Sequence, residues 1–159
     1  MKNLKLCVVA ILLSLSNAVS AQSYGNLPKN MHEIMCDLVT TAGDIPEADL
    51  KTIEFKANSF LTPGRMVSGG IHPVFAVYDK KKKKITIHTS GTAFLAPPIF
   101  DYEIEGGNGR GLSHGFYSLK EIDNLNSLNT INMTDMSYMF SGCTILTSLS
   151  FKDLKTELV

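Results

Sequence analysis

Apolar positions recur every three or four residues in two places along this chain and alternate every second residue in a third. Residues 31–39 set Met31, Ile34, Met35, Leu38 and Val39 on one helical face, with Gly43 placed to stop the helix. Residues 132–143 set Met133, Met136, Met139, Phe140 and Cys143 on a similar stripe. That spacing predicts a short helix, begun by Thr134 or Asp135, with Ser141 and Gly142 turning the chain out of it. Leu146, Leu149 and Phe151, set among small polar residues, predict a strand after it. The runs V-F-A-V-Y at 74–78 and I-T-I-H-T at 85–89 are β-branched and aromatic, and a polar connection at 79–84 joins them as a hairpin. Fainter patterns predict a strand at 50–55 and a loop or second helix start at 44–47. Pro63 with Gly64, then Ser68 with Gly69 and Gly70, mark a turn-rich link. The fold class expected is α+β: a mixed amino-terminal region with a β-hairpin, then a helix-plus-strand unit. A unit that small cannot bury its apolar side alone and needs a stacked neighbour.

Such a neighbour is visible in the chain itself. Moving the sequence along itself lays Leu119 on Leu146 and Ile122 on Leu149; after one inserted residue, Leu128 falls on Leu154, Thr130 on Thr156 and Met133 on Val159. A period in the twenties with leucines at fixed offsets marks a leucine-rich-repeat solenoid. The segment L-N-T-I-N-M-T-D-M-S-Y-M-F-S-G-C-T-I-L-T-S-L-S resembles the repeat of the BspA-like leucine-rich-repeat surface proteins, which reads roughly L-x-T-S-x-V-T-x-M-S-x-M-F-x-G-C-x-x-L-x-x-L-x-L-S. The chain departs from it with Ile131 and Asn132 where Ser and Asn are usual, Met133 for Val, and Phe151 at a position often flanked by Asn or Asp; Met133 keeps an apolar position apolar. The run A-V-Y-D-x(5)-I-T-I, beginning at Ala76, is similar to the segment that precedes the repeats in that family. Pro97, Pro98 and residues 106–111 would form its variable loop, and Phe116 with Tyr117 its aromatic pair. The resemblance implies a pre-repeat α+β region at 22–115 and a repeat segment at 116–159 holding about one full and two partial repeats. It also implies a non-enzymatic surface protein that binds or adheres to a protein or cell-surface ligand.

Residues 1–21 change the compartment. Lys2 and Lys5 precede the apolar run 6–15, and Val19, Ser20 and Ala21 end the stretch, the three-part layout of a secretory signal peptide cleaved after Ala21. The apolar run is shorter than the roughly 20 residues a spanning helix needs, and no second such run follows. The mature chain is expected to be secreted or displayed at the cell surface, with no transmembrane segment. Losing two lysines leaves 13 basic residues (15 − 2) against 15 acidic ones. That balance gives no reason to expect nucleic acid. Cys36 and Cys143 remain after cleavage; two distant cysteines are no disulfide framework, and Cys143 reads as a core thiol.

Candidate chemistry is sparse. Residues 106–111, G-G-N-G-R-G, invite a phosphate-cradling loop but lack the Lys-Ser/Thr ending of a P-loop, and read as a surface loop. His32, His72, His88 and His114 form no recognisable metal spacing. Ser113, His114 and Gly115 have no nucleophile-elbow context, and Asp101, Glu103 and Glu105 read as solvated carboxylates. The five lysines at 80–84 read as a solvated hairpin tip. Asn132, Met133 and Thr134 form a glycosylation sequon. No catalytic, cofactor-binding or metal-ligating residues are expected, no cofactor is implied, and no binding residue is assigned. Two alternatives stay open: a small secreted hydrolase with a site in 44–115, and a shortened repeat protein with little independent function.

Overall fold

The computed structural model describes residues 23–60, 64–104, 107–147, 149 and 154. Two sheets and a two-stranded ribbon organise the described residues. Strand β1 (Tyr24–Asn26) leads into helix α1 (Met31–Thr41), the short helix α2 (Pro46–Asp49) and strand β2 (Thr52–Lys56). Strands β3 (Arg65–Ser68), β4 (Val74–Asp79) and β5 (Lys84–Thr89) follow, then β6 (Ala93–Leu95). Strands β7 (Asp101–Ile104) and β8 (Gly107–Arg110) pair as the ribbon, and β9 (Glu121–Asp123), a 3₁₀ turn and β10 (Leu128–Asn129) complete the order.

Helix α1 forms where its periodicity requires. Met31, Met35 and Val39 are fully buried on one stripe, and Gly43, at φ +81°, ends the helix. Gly43 N–H donates to the Thr40 carbonyl and Asp44 N–H to that of Val39, closing a Schellman motif with the orphan carbonyls satisfied. The hairpin also forms, β4 and β5 pairing antiparallel from Val74 opposite Thr89 to Asp79 opposite Lys84. Alternation then sorts side chains: Val74, Ala76, Ile85, Ile87, Ile53 and Phe55 point into the core.

Parallel pairing organises everything else. The five-stranded sheet runs β3-β4-β5-β2-β9, with β2 parallel to both β5 and β9; the three-stranded sheet runs β1-β6-β10, wholly parallel. Tyr24 faces Ala93 and Thr52 faces Glu121, the same offset of 69 residues in both sheets (93 − 24 and 121 − 52). The path β1-α1-β2 is therefore overlaid, strand for strand, by the path β6-β9. The rings of Phe55 on β2 and Phe94 on β6 meet edge to face at 5.4 Å and join the two sheets through the core.

Residues 113–120 bond to residues 139–147, which lie 26 or 27 positions further along the chain. Ser113 N–H donates to the Met139 carbonyl and Gly115 N–H to that of Ser141, at 3.0 and 2.7 Å. The Thr144 hydroxyl donates to the Tyr117 carbonyl and Thr147 N–H to that of Lys120, each 27 residues apart. Gly115 and Gly142 share φ +78°, and a Cβ on Gly142 would sit 3.0 Å from the Gly115 Cα. Backbone lies on backbone here, which only glycine permits.

Several expectations need correction. Residues 132–143 form a chain of turns and no helix. Met139, Ser141 and Cys143 donate to carbonyls three residues back, and Tyr138 takes φ +60°, which breaks helical winding. Thr134 and Asp135 donate their N–H groups to the Pro98 carbonyl, so neither caps a helix. The Met139 and Ser141 carbonyls, which a helix would bond internally, accept instead from the Ser113 and Gly115 N–H groups. Met133 and Met139 are buried, whereas Met136, Phe140, Cys143, Leu146 and Leu149 pack half-buried against the same core. The strand expected from Leu146 to Phe151 is not formed through Thr147; Phe151 lies outside the described residues. The glycine-rich loop is largely strand β8, paired with β7, and the turn-rich link holds strand β3.

Candidate binding surface

The outward face of the five-stranded sheet gathers side chains from strands far apart in the chain. Lys84, Thr86 and His88 on β5 lie in register with Thr52, Glu54 and Lys56 on β2, and Glu121 and Asp123 on β9 continue the rows. Met66 on β3 faces Phe75 on β4, so that flank is apolar while the β9 flank is acidic. The centre is an ionic lattice. Lys84 Nζ lies 3.1 Å from Glu54 and 3.5 Å from Asp123, Lys56 lies 3.4 Å from Glu54, and the Thr86 hydroxyl donates to Glu54 at 3.1 Å. Burial works to raise the Glu54 pKa, but the Lys84 bond, with Lys56 and Thr86, holds it below the usual carboxylate value. The His88 ring stacks on Phe75 at 5.7 Å, and burial, then Lys56, lowers its pKa.

The lysine run is more than a solvated tip. Lys83 bridges Asp44 at 2.7 Å and Asp49 at 3.1 Å, and the Tyr78 hydroxyl donates to Asp44 at 2.9 Å. Burial, then the Asp44 carboxylate, pushes the Tyr78 phenol up to about 12. Lys80 donates to the Ala42 carbonyl beyond the end of α1. The hairpin is thereby clamped to the α1–α2 corner.

The sequence reading overlooked one pair. His32 and Cys36 stand four residues apart on α1, and Cys36 Sγ lies 3.5 Å from His32 Nε2. His32 is buried and stacks on Phe116 at 4.8 Å. Burial lowers the His32 pKa to about 4 and raises the Cys36 thiol to about 12, so both are neutral at pH 7. An activated cysteine needs the thiolate, which this pocket disfavours. The pair belongs to the core, and the i, i+4 spacing was its only sequence signal.

Elsewhere the candidates resolve into structure. Ser113 is buried with its hydroxyl donating to the Met139 carbonyl, and Cys143 Sγ donates to the Ser113 carbonyl at 3.0 Å. Cys36 and Cys143 carry free thiols. Asn132 of the sequon is exposed, whereas Thr134 is tied to Pro98. Asp101 and Glu103 stand at alternate positions of β7; Glu105 lies outside the described residues. Among the described residues no group of three His, Cys, Asp or Glu converges to hold a metal ion, and no helix is long and apolar enough to cross a membrane. An open cleft of about 430 Å³ lies between Leu38 and Thr41 on α1 and Arg65, Ala76 and Tyr78 on the sheet; Arg65 at its rim pairs with Asp37 at 3.1 Å. No protein-family model, curated protein or solved structure matches the chain. The functional reading therefore rests on residues and geometry.

Proposed function

We propose that this chain is an exported, non-enzymatic repeat protein of the leucine-rich-repeat kind that binds a protein or cell-surface ligand through the outward face of its five-stranded sheet. The observation that carries the reading is the register: β2 and β9 fall 69 residues apart yet place Thr52 beside Glu121 and Glu54 beside Asp123. Successive coils thus add side chains to one open face in fixed rows, the arrangement through which solenoids present binding residues. The stacking of 113–120 on 139–147 at offsets of 26 and 27 residues supports the solenoid part of the proposal. Export rests on the leader layout of residues 1–21. Processing after Ala21 is tested by amino-terminal sequencing of exported protein: Gln22 first supports it, and an intact Lys2 rejects it.

The binding role is tested by labelling the processed chain and measuring its uptake on intact cells. Saturable binding is expected, weakened at least tenfold by Thr86→Arg, which places a bulky charge mid-face without touching the core. Non-saturable uptake, or a Thr86→Arg variant that binds as the parent does, rejects this face.

A further inference from the structure

One end of the five-stranded sheet carries apolar side chains in a setting unlike the rest of the surface. Phe60 is 84% exposed and Ile71 is 92% exposed, on two separate loops. The loops are pinned side by side. Ser59 N–H donates to the Thr89 carbonyl at 2.8 Å, and Asn58 N–H to that of Gly91 at 2.7 Å. His72 Nδ1 lies 3.2 Å from the Ser90 hydroxyl, and the Thr89 hydroxyl donates to the His72 carbonyl. Phe60 and Ile71 are therefore each next in sequence to a residue fixed at the carboxy end of β5. Met66, 61% exposed, faces Phe75 on the adjoining edge.

Two further observations indicate what covers this end. The first is charge: from Phe55 to Tyr78 there is no Asp or Glu, while Lys56 and Arg65 fall in that stretch. Lys56 pairs with Glu54 on its own strand and Arg65 with Asp37 on α1, and both cations stay half exposed. The second is chain path. Ser23 and Thr92 exchange bonds, Thr92 N–H donating to the Ser23 carbonyl at 2.8 Å, beside the Gly91 that receives Asn58. The apolar run 6–15 is thus joined to the domain at this same end. The eight residues from Leu15 to Ser23 span at most about 28 Å. A leader held in a bilayer during export would leave this end facing the lipid.

We propose that the sheet end bearing Phe60, Ile71 and Met66 docks on an anionic lipid bilayer and retains the processed protein at the membrane surface. Apolar tips enter the headgroup region while flanking cations meet lipid phosphate, the two contributions that reversible surface binding needs together. The proposal shares the export reading above; Met66 and Lys56 also border the sheet face, whereas Phe60 and Ile71 lie on loops outside it.

The chain has no tryptophan, so single-tryptophan variants report without background. The processed chain carrying Phe60→Trp or Ile71→Trp is mixed with vesicles of phosphatidylcholine alone or with one-third phosphatidylglycerol. A blue shift and quenching by brominated lipid are expected on the anionic vesicles, with Ile131→Trp unresponsive. The Phe60→Ser/Ile71→Ser variant should partition at least about tenfold more weakly, since burial of one large apolar side chain is worth that much. Absence of partition onto anionic vesicles, or equal partition of the double variant, overturns the proposal. Loss of cell binding by the double variant without any vesicle response would assign this end to a protein partner and also overturn it. Cell binding retained by the Phe60→Ser/Ile71→Ser variant while its vesicle partition falls separates the two readings, since both substitutions lie on loops outside the sheet face.

Discussion

His32 shows how one residue couples the helix to the coil above it. Its ring lies between Cys36 and Phe116, with burial lowering its pKa from 6.5 to about 4, opposed by a Leu112 backbone bond and Glu47 and reinforced by His114. The unfolded chain therefore binds a proton on this ring between pH 6.5 and 4 that the folded chain refuses. Stability falls as pH drops through that window, by on the order of 3 kcal/mol at pH 4 for this depth of burial. Urea midpoints at pH 7 and 4 check this, and His32→Phe, which keeps the stacking, should remove most of the difference. Asp44, Asp49, Glu54 and Asp79, whose pKa values are lowered, lose their contributions below the ordinary carboxylate range and so act at lower pH. At Gly111, φ is +111° and a Cβ would run into the Tyr138 carbonyl. Gly111→Ala is expected to lower the melting temperature sharply, combining backbone strain with a backbone collision.

Among the elements, the turn chain at 132–143 separates pattern from conformation. Its three-and-four spacing selected residues that pack on the core, Met133 and Met139 most deeply, while the helix that spacing implied does not form. Asn, Thr, Asp, Ser and Tyr are weak helix formers, and bonds to Pro98, Ser113 and Gly115 replace helical ones. Met133→Asp should cost several kcal/mol in chemical denaturation, because the carboxylate would be buried unpaired, while half-buried Met136→Asp should cost clearly less. The hairpin was legible because β4 and β5 are adjacent and antiparallel; α1 was legible because its stripe and its stop glycine agree. Strands β1, β6 and β10 were not, since two or three residues carry no period and gain their state only from partners far along the chain. The proposed binding face was illegible for the same reason: Thr52 and Glu121 look unrelated until β2 and β9 pair. Hydrogen exchange should show residues 139–147, tied by a few bonds to 113–120, exchanging early while β4 and β5 stay protected.

At the scale of the whole molecule, the segment between β2 and β6 closes one side of a stack. Strand β5 covers one edge of β2, β4 covers β5, and β3 ends the sheet with a register shift between Met66 and Ser68 that discourages further pairing. On the other flank of β2 lies β9, with Thr147 bonded beyond it to Lys120. Ile87→Ala, removing a fully buried side chain from the covering strand, should cost about 2–5 kcal/mol and loosen both flanks, readable as a lower urea midpoint.

That one-sided closure makes the molecule mechanically directional. A tether pulling on the carboxy-terminal side loads the Thr147–Lys120 contacts before any strand of the hairpin-covered side, so the chain should peel one turn at a time. Stretched by optical tweezers from both ends, it should lengthen first in a low-force step of about 27 residues, roughly 90–100 Å of extended backbone, and only later in a larger rupture. Under the proposed binding role, that sequence would let the outer turn yield and dissipate load while the hairpin-covered sheet stays intact.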